Sequence, residues 1–118
     1  MSAGGHVAPD VRVFLNHALL AAGQPEEARA VAEEIRRSRP ADLAVYSFVG
    51  ESYEVTGDLA QAHRWFTLGA QRALADPAVG GDPASLRREE EGWMLGVARA
   101  RVRRELGMPP DELDDAFS

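Results

Sequence analysis

Apolar residues recur at intervals of three and four along most of the chain, and this spacing predicts an all-α protein. The clearest series consists of Ala28, Val31, Ala32 and Ile35. A second series consists of Val45, Tyr46, Val49, Gly50 and Tyr53. A third runs through Leu59, Ala62, Phe66 and Leu68. Each series covers one side of a helix, so we expect these sides to pack together as a core.

Capping and turn residues divide the pattern into about five long helices and a short C-terminal one. Before the predicted helices stand Asp10, Asp42, Asp58 (paired with Gln61) and Asp82 or Ser85, and the run 109–113 is predicted to begin the short last helix. Pro25 suits a first helical position, Pro40 ends a helix, and Gly23, Gly57 and Gly107 suit left-handed turns. The fifth helix is predicted to be long, from about 84 to 106. On the first helix the predicted apolar side is Phe14, Leu15, Ala18, Leu19 and Ala22.

A further pattern repeats at a fixed distance. Gly23 lies 34 residues before Gly57, and Ala28 lies 34 residues before Ala62. Ahead of the second glycine, the spacing W-x-x-L-G-x-x-Y is occupied by Tyr46, Val49, Gly50 and Tyr53. This resembles the tetratricopeptide repeat family, whose 34-residue unit is a hairpin of two antiparallel helices. The run from 105 to 113 is similar to segments of actinobacterial repeat proteins.

The resemblance implies a short right-handed solenoid of stacked helix hairpins. It divides a single domain, residues 1–118, into repeat 1 (9–41), repeat 2 (42–75), a loop (76–83) and a degenerate or truncated repeat 3 (84–118). Arg12 and Asn16 depart from the family, which favours Trp and Gly there. Stacking is required because one hairpin cannot bury its apolar face alone. The C-terminal end either packs on the fifth helix or is covered by a partner.

Composition excludes several classes of partner. The 118 residues carry a net charge of −6, every basic residue is Arg, and Cys is absent. An acidic chain is repelled by phosphate backbones, so we expect no nucleic-acid partner. No run approaches the ~20 apolar residues of a membrane span, and the N-terminus lacks a signal pattern. We therefore expect a protein without a membrane partner that resides in the cytoplasm.

Candidate chemistry is sparse, so we expect no enzyme, metal or cofactor. The three histidines, His6, His17 and His63, stand far apart, and Gly80-Gly81 lacks the lysine of a phosphate loop. The acidic residues after Gly107 are predicted to form a solvated tail. Four arginines of the fifth helix allow two interpretations: pairing with Glu91, Glu105 or acids of the preceding unit, or contact with an anion or acidic peptide. They are Arg99, Arg101, Arg103 and Arg104.

In the family that the chain resembles, the first helix of each hairpin lines a concave wall. Carried over from the turn glycines, the wall positions of unit one are Val13, Phe14, His17 and Leu20. Those of unit two are Ser47, Phe48, Glu51 and Glu54. The hydrophobic phase of the third unit adds Trp93, Ala100, Arg103 and Arg104. The alternative is that Phe14 and Phe48 pack inside the stack while the glutamates pair with Arg103 or Arg104.

These positions predict a non-catalytic protein-binding module, an adaptor or scaffold that holds a protein or peptide segment in the groove. Apolar anchors would supply affinity, because burying one Phe contributes roughly 1.5–3 kcal/mol against about 0–1 for an exposed ion pair. The alternative is a structural or regulatory subunit that forms a homodimer, or docks on an enzyme, through its C-terminal end.

Overall fold

The computed structural model describes residues 10–77 and 81–117, and all regular secondary structure in these ranges is helical. Five helices are 11 to 16 residues long, and two are short. They are α1 (Val11–Ala21), α2 (Pro25–Ser38), α3 (Leu43–Val55), α4 (Leu59–Leu74), α5 (Pro83–Leu86), α6 (Glu90–Glu105) and α7 (Glu112–Ala116). None of those in the described ranges combines the length and apolarity needed to cross a bilayer.

The helix boundaries follow the capping chemistry of the sequence. The carboxylates of Asp10, Asp42, Asp58, Asp82 and Asp111 each accept a backbone N–H in the first turn of the helix that follows. Pro25 begins α2 as predicted. The predicted turn glycines Gly23, Gly57 and Gly107 all have left-handed φ, at 75°, 89° and 74°. Local chemistry therefore sets where most helices begin and end.

The long helices pair into hairpins that lie side by side. Helix α1 packs on α2 and α3 packs on α4, each across a three-residue connection, and α6 packs against both α3 and α4. In the contacts of α3 with α1 and with α6, higher residue numbers on one helix meet higher numbers on the other. The three helices α1, α3 and α6 therefore run in the same direction. The residue pairs that fix this are Phe14 with Phe48, His17 with Ser52, Ser47 with Glu91, and Glu54 with Arg101.

The core lies between these hairpins, and the predicted burial of Tyr46 and Phe66 is confirmed: they are 4% and 0% exposed. Glycine lets neighbouring helices approach closely. A Cβ at Gly50 would lie 2.6 Å from Cδ1 of Phe66, and a Cβ at Gly96 would overlap the ring of Phe117. Two aromatic rings therefore fill notches that only glycine leaves open.

The first helix is rotated relative to its predicted apolar side. Phe14 and Leu15 are 53% and 49% exposed, whereas the buried residues are Val13 and Asn16. A hydrogen bond to the neighbouring helix explains this rotation: Asn16 Nδ2 donates to the carbonyl of Ala28 in α2 at 2.9 Å. A buried amide with this partner turns the opposite, apolar side of α1 outward. The departure from the repeat pattern at Asn16 is therefore a hairpin contact.

The predicted long fifth helix, 84–106, is wrong. The chain forms α5, turns over Arg87–Glu89, and then forms α6. Leu86 at the end of α5 is fully buried in a cluster with Ala70 and Ala73 of α4. Burying this side chain supplies roughly 1.5–3 kcal/mol, which favours the separate, docked α5 over one continuous helix. Of the remaining predictions, those for the N-terminus with His6 and for Gly80 lie outside the described residues.

Candidate functional site

Three predicted wall residues come together on the exposed side of α1 and α3. The Phe14 and Phe48 rings lie edge to face with centroids 5.5 Å apart, and His17 contacts Phe48 at 5.8 Å. Phe48 remains 36% exposed and Phe14 more so. We call Phe14, His17 and Phe48 the aromatic wall. Two rings held against each other while open to water form a preorganised apolar surface.

Hydrogen bonds fix the orientation of His17 in this wall. Its Nδ1 lies 2.9 Å from Oγ of Ser52, and the Ser52 hydroxyl donates to the Phe48 carbonyl at 3.0 Å. Because a hydroxyl has one proton, Ser52 accepts from His17, which places the imidazole proton on Nδ1. The bond fixes the ring so that its Nε2 edge adds a polar group beside the apolar wall.

A shallow pocket of about 120 Å³ opens beside the aromatic wall, between the N-terminal ends of α1 and α3. Its lining is mostly apolar, with two carboxylates: Asp10, Val13, Phe14, Asp42, Ala44, Val45 and Phe48. Hydrogen bonds from Arg12 lower the pKa of Asp10, so that carboxylate is ionised and paired. The buried Val13 forms part of the pocket wall, and its volume fits one side chain rather than a cofactor.

Polar contacts join α3 to α6 next to the wall. Ser47 is buried and its hydroxyl donates to Glu91 at 3.3 Å. Glu54 holds Arg101 through two bonds of 2.9 and 2.7 Å, and these bonds raise the pKa of Arg101. Glu51 is exposed between these contacts. The interpretation that α6 arginines pair with acids of the preceding unit therefore holds for Glu54. Its partner is Arg101, whereas the alternative for the wall glutamates named Arg103 or Arg104.

The α6 positions assigned to the wall are only partly placed there. Trp93 and Arg104 are exposed, and neither contacts the aromatic rings in the described structure. Ala100 and Arg103 are buried, as are the wall positions Val13 and Ser47, so these four side chains offer little open surface to a partner. Arg103 turns away from α3 because its guanidinium bonds to the C-terminal segment, where Nε donates to Asp114 at 2.6 Å.

Arg99, Arg103, Asp111 and Asp114 form a largely buried Arg–Asp cluster where α7 packs on α6. Arg99 bridges both aspartates, with bonds of 2.7 Å to Asp111 and 3.1 Å to Asp114. Asp111 and Asp114 also form a reciprocal capping box. The hydrogen bond from Arg99 is the main cause that holds the pKa of Asp111 well below its usual range. The predicted solvated acidic tail is therefore wrong: Asp114 is 7% exposed and α7 is docked.

His63 of α4 borders this cluster. Its Nε2 accepts from Nη1 of Arg103 at 3.2 Å. Burial, together with the charges of Arg99 and Arg103, lowers the pKa of His63. The imidazole is therefore neutral near pH 7 and accepts from Arg103, while the Thr67 hydroxyl lies 3.4 Å from the same nitrogen. The spacing of Arg99 and Arg103 (i, i+4), opposite Asp111 and Asp114 (i, i+3) after a turn glycine, is the signal from which this docking was predictable.

Comparison of the chain with protein-family models, with curated proteins and with solved structures finds no match. The site is therefore interpreted from its own geometry. Within residues 10–77 and 81–117, no three His, Asp or Glu side chains converge as metal ligands would. The most distinctive open surface in that part of the chain is the aromatic wall with its shallow pocket.

Proposed function

We propose that this chain is a non-catalytic, tetratricopeptide-like interaction module whose aromatic wall holds a segment of a partner protein. The proposal depends on one observation: the rings of Phe14 and Phe48, from two parallel helices, pack edge to face and are still exposed. Parallel first helices, three-residue hairpin turns and the 34-residue echo support a repeat-like stack with this wall on its concave side. A preorganised aromatic surface lowers the entropic cost of binding a peptide.

The charges beside the wall favour a particular partner chemistry. Asp10 is paired with Arg12, and Glu54 with Arg101, so both carboxylates are compensated. Asp42 lines the pocket, Glu51 follows Phe48 by one turn, and neither makes an ion pair with any described residue, which leaves negative charge beside the aromatic wall. We therefore propose a segment with an apolar side chain for the pocket, next to an Arg or Lys. The apolar contact would supply affinity, and the charges would set orientation.

A displayed library of random peptides selected on the wild-type protein tests the proposal. We expect enrichment of an apolar residue adjacent to Arg or Lys. The double variant Phe48→Ala, Glu51→Arg should then bind the selected peptides at least ~10-fold more weakly, because the loss of one buried ring costs roughly 1.5–3 kcal/mol. Helical circular dichroism should stay unchanged, since both side chains are on the surface.

Leu106→Ala is the matched control, since it removes a large apolar side chain that is 40% exposed at the far end of α6. It should leave peptide affinity unaltered. Peptides that bind the double variant as tightly as the wild type, or that lose affinity equally with Leu106→Ala, would show that the aromatic wall is not the binding surface.

The alternative, self-association or enzyme docking through the C-terminal end, has less support. That end of α6 is covered by α7, whose Asp114 is bonded to Arg99 and Arg103. Phe117 fills the space above Gly96 on the same side. Sedimentation at two protein concentrations separates the two functions, because a concentration-dependent dimer is expected only from self-association.

A further inference from the structure

A cavity of about 380 Å³ lies on the opposite layer of the molecule from the aromatic wall, where α2 and α4 end. Its lining contains three arginines and no carboxylate: Arg36, Arg39, Tyr46, Leu68, Gln71, Arg72 and Ala75. This composition is unusual for a chain with a net charge of −6. The volume is within the range of small-molecule sites, which begins near ~300 Å³.

Arg39 stands in this lining with a strained backbone. Its φ of 48° and ψ of 62° are left-handed, the conformation that ends many helices on Gly or Asn. Among the described residues other than glycine, Arg39 alone has a positive φ. Its guanidinium forms no ion pair with any described residue. Backbone strain kept at a charged residue beside a cavity is typical of binding sites.

The other polar groups are held in place around the same cavity. The hydroxyl of Tyr46 and Nε of Arg72 both donate to the carbonyl of Pro40, at 2.9 and 3.2 Å. Arg36 is oriented by Glu33, which accepts from its Nε at 2.9 Å. In both arginines the short bond uses Nε, and Arg72 also forms a side-chain hydrogen bond with the Tyr46 hydroxyl inside the cavity lining. These donors are therefore preorganised by the protein.

Helix dipoles do not explain this arrangement fully. The C-terminal ends of α2 and α4 each carry about −0.5 charge, which stabilises Arg36, Arg37 and Arg72 in their last turns. Arg36 is also balanced by its ion pair with Glu33, but the guanidinium groups of Arg39 and Arg72 still outweigh the partial charges of two helix ends. Arg39 lies beyond the end of α2, and Arg37, which benefits equally from the dipole, is not part of the lining.

We propose that this cavity binds the phosphate group of a small organic phosphate. Planar guanidinium groups match phosphate oxygens bidentately, and several converging donors favour a dianion over a monoanion. The side chains of Leu68 and Ala75 give the organic part an apolar surface within the same cavity. The site is independent of the aromatic wall, because it is lined by α2, α4 and the buried side of α3.

Titration of the wild-type protein with phenyl phosphate, followed by NMR amide shifts, tests the site. We expect saturable shifts around Tyr46 and Arg72, at least ~10-fold weaker binding of phenyl sulfate, and intermediate binding of inorganic phosphate. Arg39→Gly and Arg72→Gln should each weaken phenyl phosphate at least ~10-fold, since each removes a charged donor. Arg37→Ala, which removes one charge at the same helix end, should leave the affinity unchanged.

Arg39→Gly also guards against misfolding as an explanation. Glycine adopts the left-handed conformation without strain, so this variant should have a Tm equal to or above that of the wild type while it loses the ligand. Equal binding by Arg39→Gly and the wild type, equal losses in Arg39→Gly and Arg37→Ala, or no saturable shifts with the wild type would each overturn the proposal.

Discussion

Asp114→Asn tests whether a buried counter-ion holds the C-terminal helix in place. The Asp114 carboxylate accepts from Arg99 at 3.1 Å, from Arg103 at 2.6 Å and from the backbone of Asp111 at 3.1 Å. The amide keeps the shape but removes the charge, and its Nδ2 presents a donor where another donor now points. Asp111 alone then balances two guanidinium groups that are less than a tenth exposed.

The size of the effect follows from this burial. Removing one partner of a buried ion pair costs about 3–5 kcal/mol, and release of α7 into water limits the loss. We therefore expect a loss of about 3 kcal/mol in the free energy of unfolding, near the lower bound. With an unfolding entropy of ~2.1 cal/mol/K per residue, this lowers the Tm by roughly 12 °C. If α7 detaches while the other helices stay folded, the free-energy loss is confined to α7 and the Tm of the whole protein changes less.

Two measurements distinguish these outcomes: thermal unfolding for the global loss, and hydrogen exchange of the α7 amides for local detachment. Glu112→Gln is the control, because it removes one negative charge from the same first turn at an exposed position. If Asp114→Asn matches Glu112→Gln within about 0.5 kcal/mol and its α7 amides exchange no faster, the buried counter-ion reasoning is refuted.

Other predictions follow from the core and from titration. Gly50→Ala should destabilise the protein by about 1–3 kcal/mol in urea unfolding, because the new Cβ would meet the Phe66 ring; unchanged or increased stability would contradict this. Burial and two arginines lower the pKa of His63, so the unfolded chain binds its proton more readily. The contribution of neutral His63 to the free energy of unfolding is therefore fully present above about pH 6.5, and it is lost as the pH drops towards the folded pKa. His63→Gln should flatten that slope in Tm measurements between pH ~7.5 and ~5.5, and a slope equal to that of the wild type would contradict it. The lowered pKa of Asp111 adds a loss only in more acidic solution, below its ordinary value of 3.8.

Local chemistry made much of the fold predictable. Helix starts were encoded by Asp caps and by Pro25, and helix ends by turn glycines, because each acts within a few residues. The apolar series of α2 and α3 identified their buried sides, since every member packs in the core: Ala28, Val31, Ala32, Ile35, Val45, Tyr46, Val49, Gly50 and Tyr53. The family resemblance also assigned Phe14 and Phe48 to one wall, and the structure brings their rings into contact.

The features that sequence reasoning missed depend on partners distant in the chain. Asn16 is buried because the Ala28 carbonyl meets it across a hairpin, and Leu86 interrupts the long helix because α4 offers it a pocket. From the sequence alone Asp114 is predicted to lie in an exposed tail, because its partners Arg99 and Arg103 are brought close only when α7 packs on α6. In each case a polar or apolar partner supplied by tertiary structure outweighed the local pattern.

The glycine notches beneath Phe66 and Phe117 have a consequence for how this sequence can change. A methyl group added to Gly50 is compatible only with a smaller neighbour on α4, and the same holds for Gly96 and the residue at position 117. Each notch and its ring therefore form a coupled pair, in which the second substitution determines whether the first is tolerated. Homologues should exchange such residues two at a time, so covariation between these positions would trace the hairpin contacts without a structure.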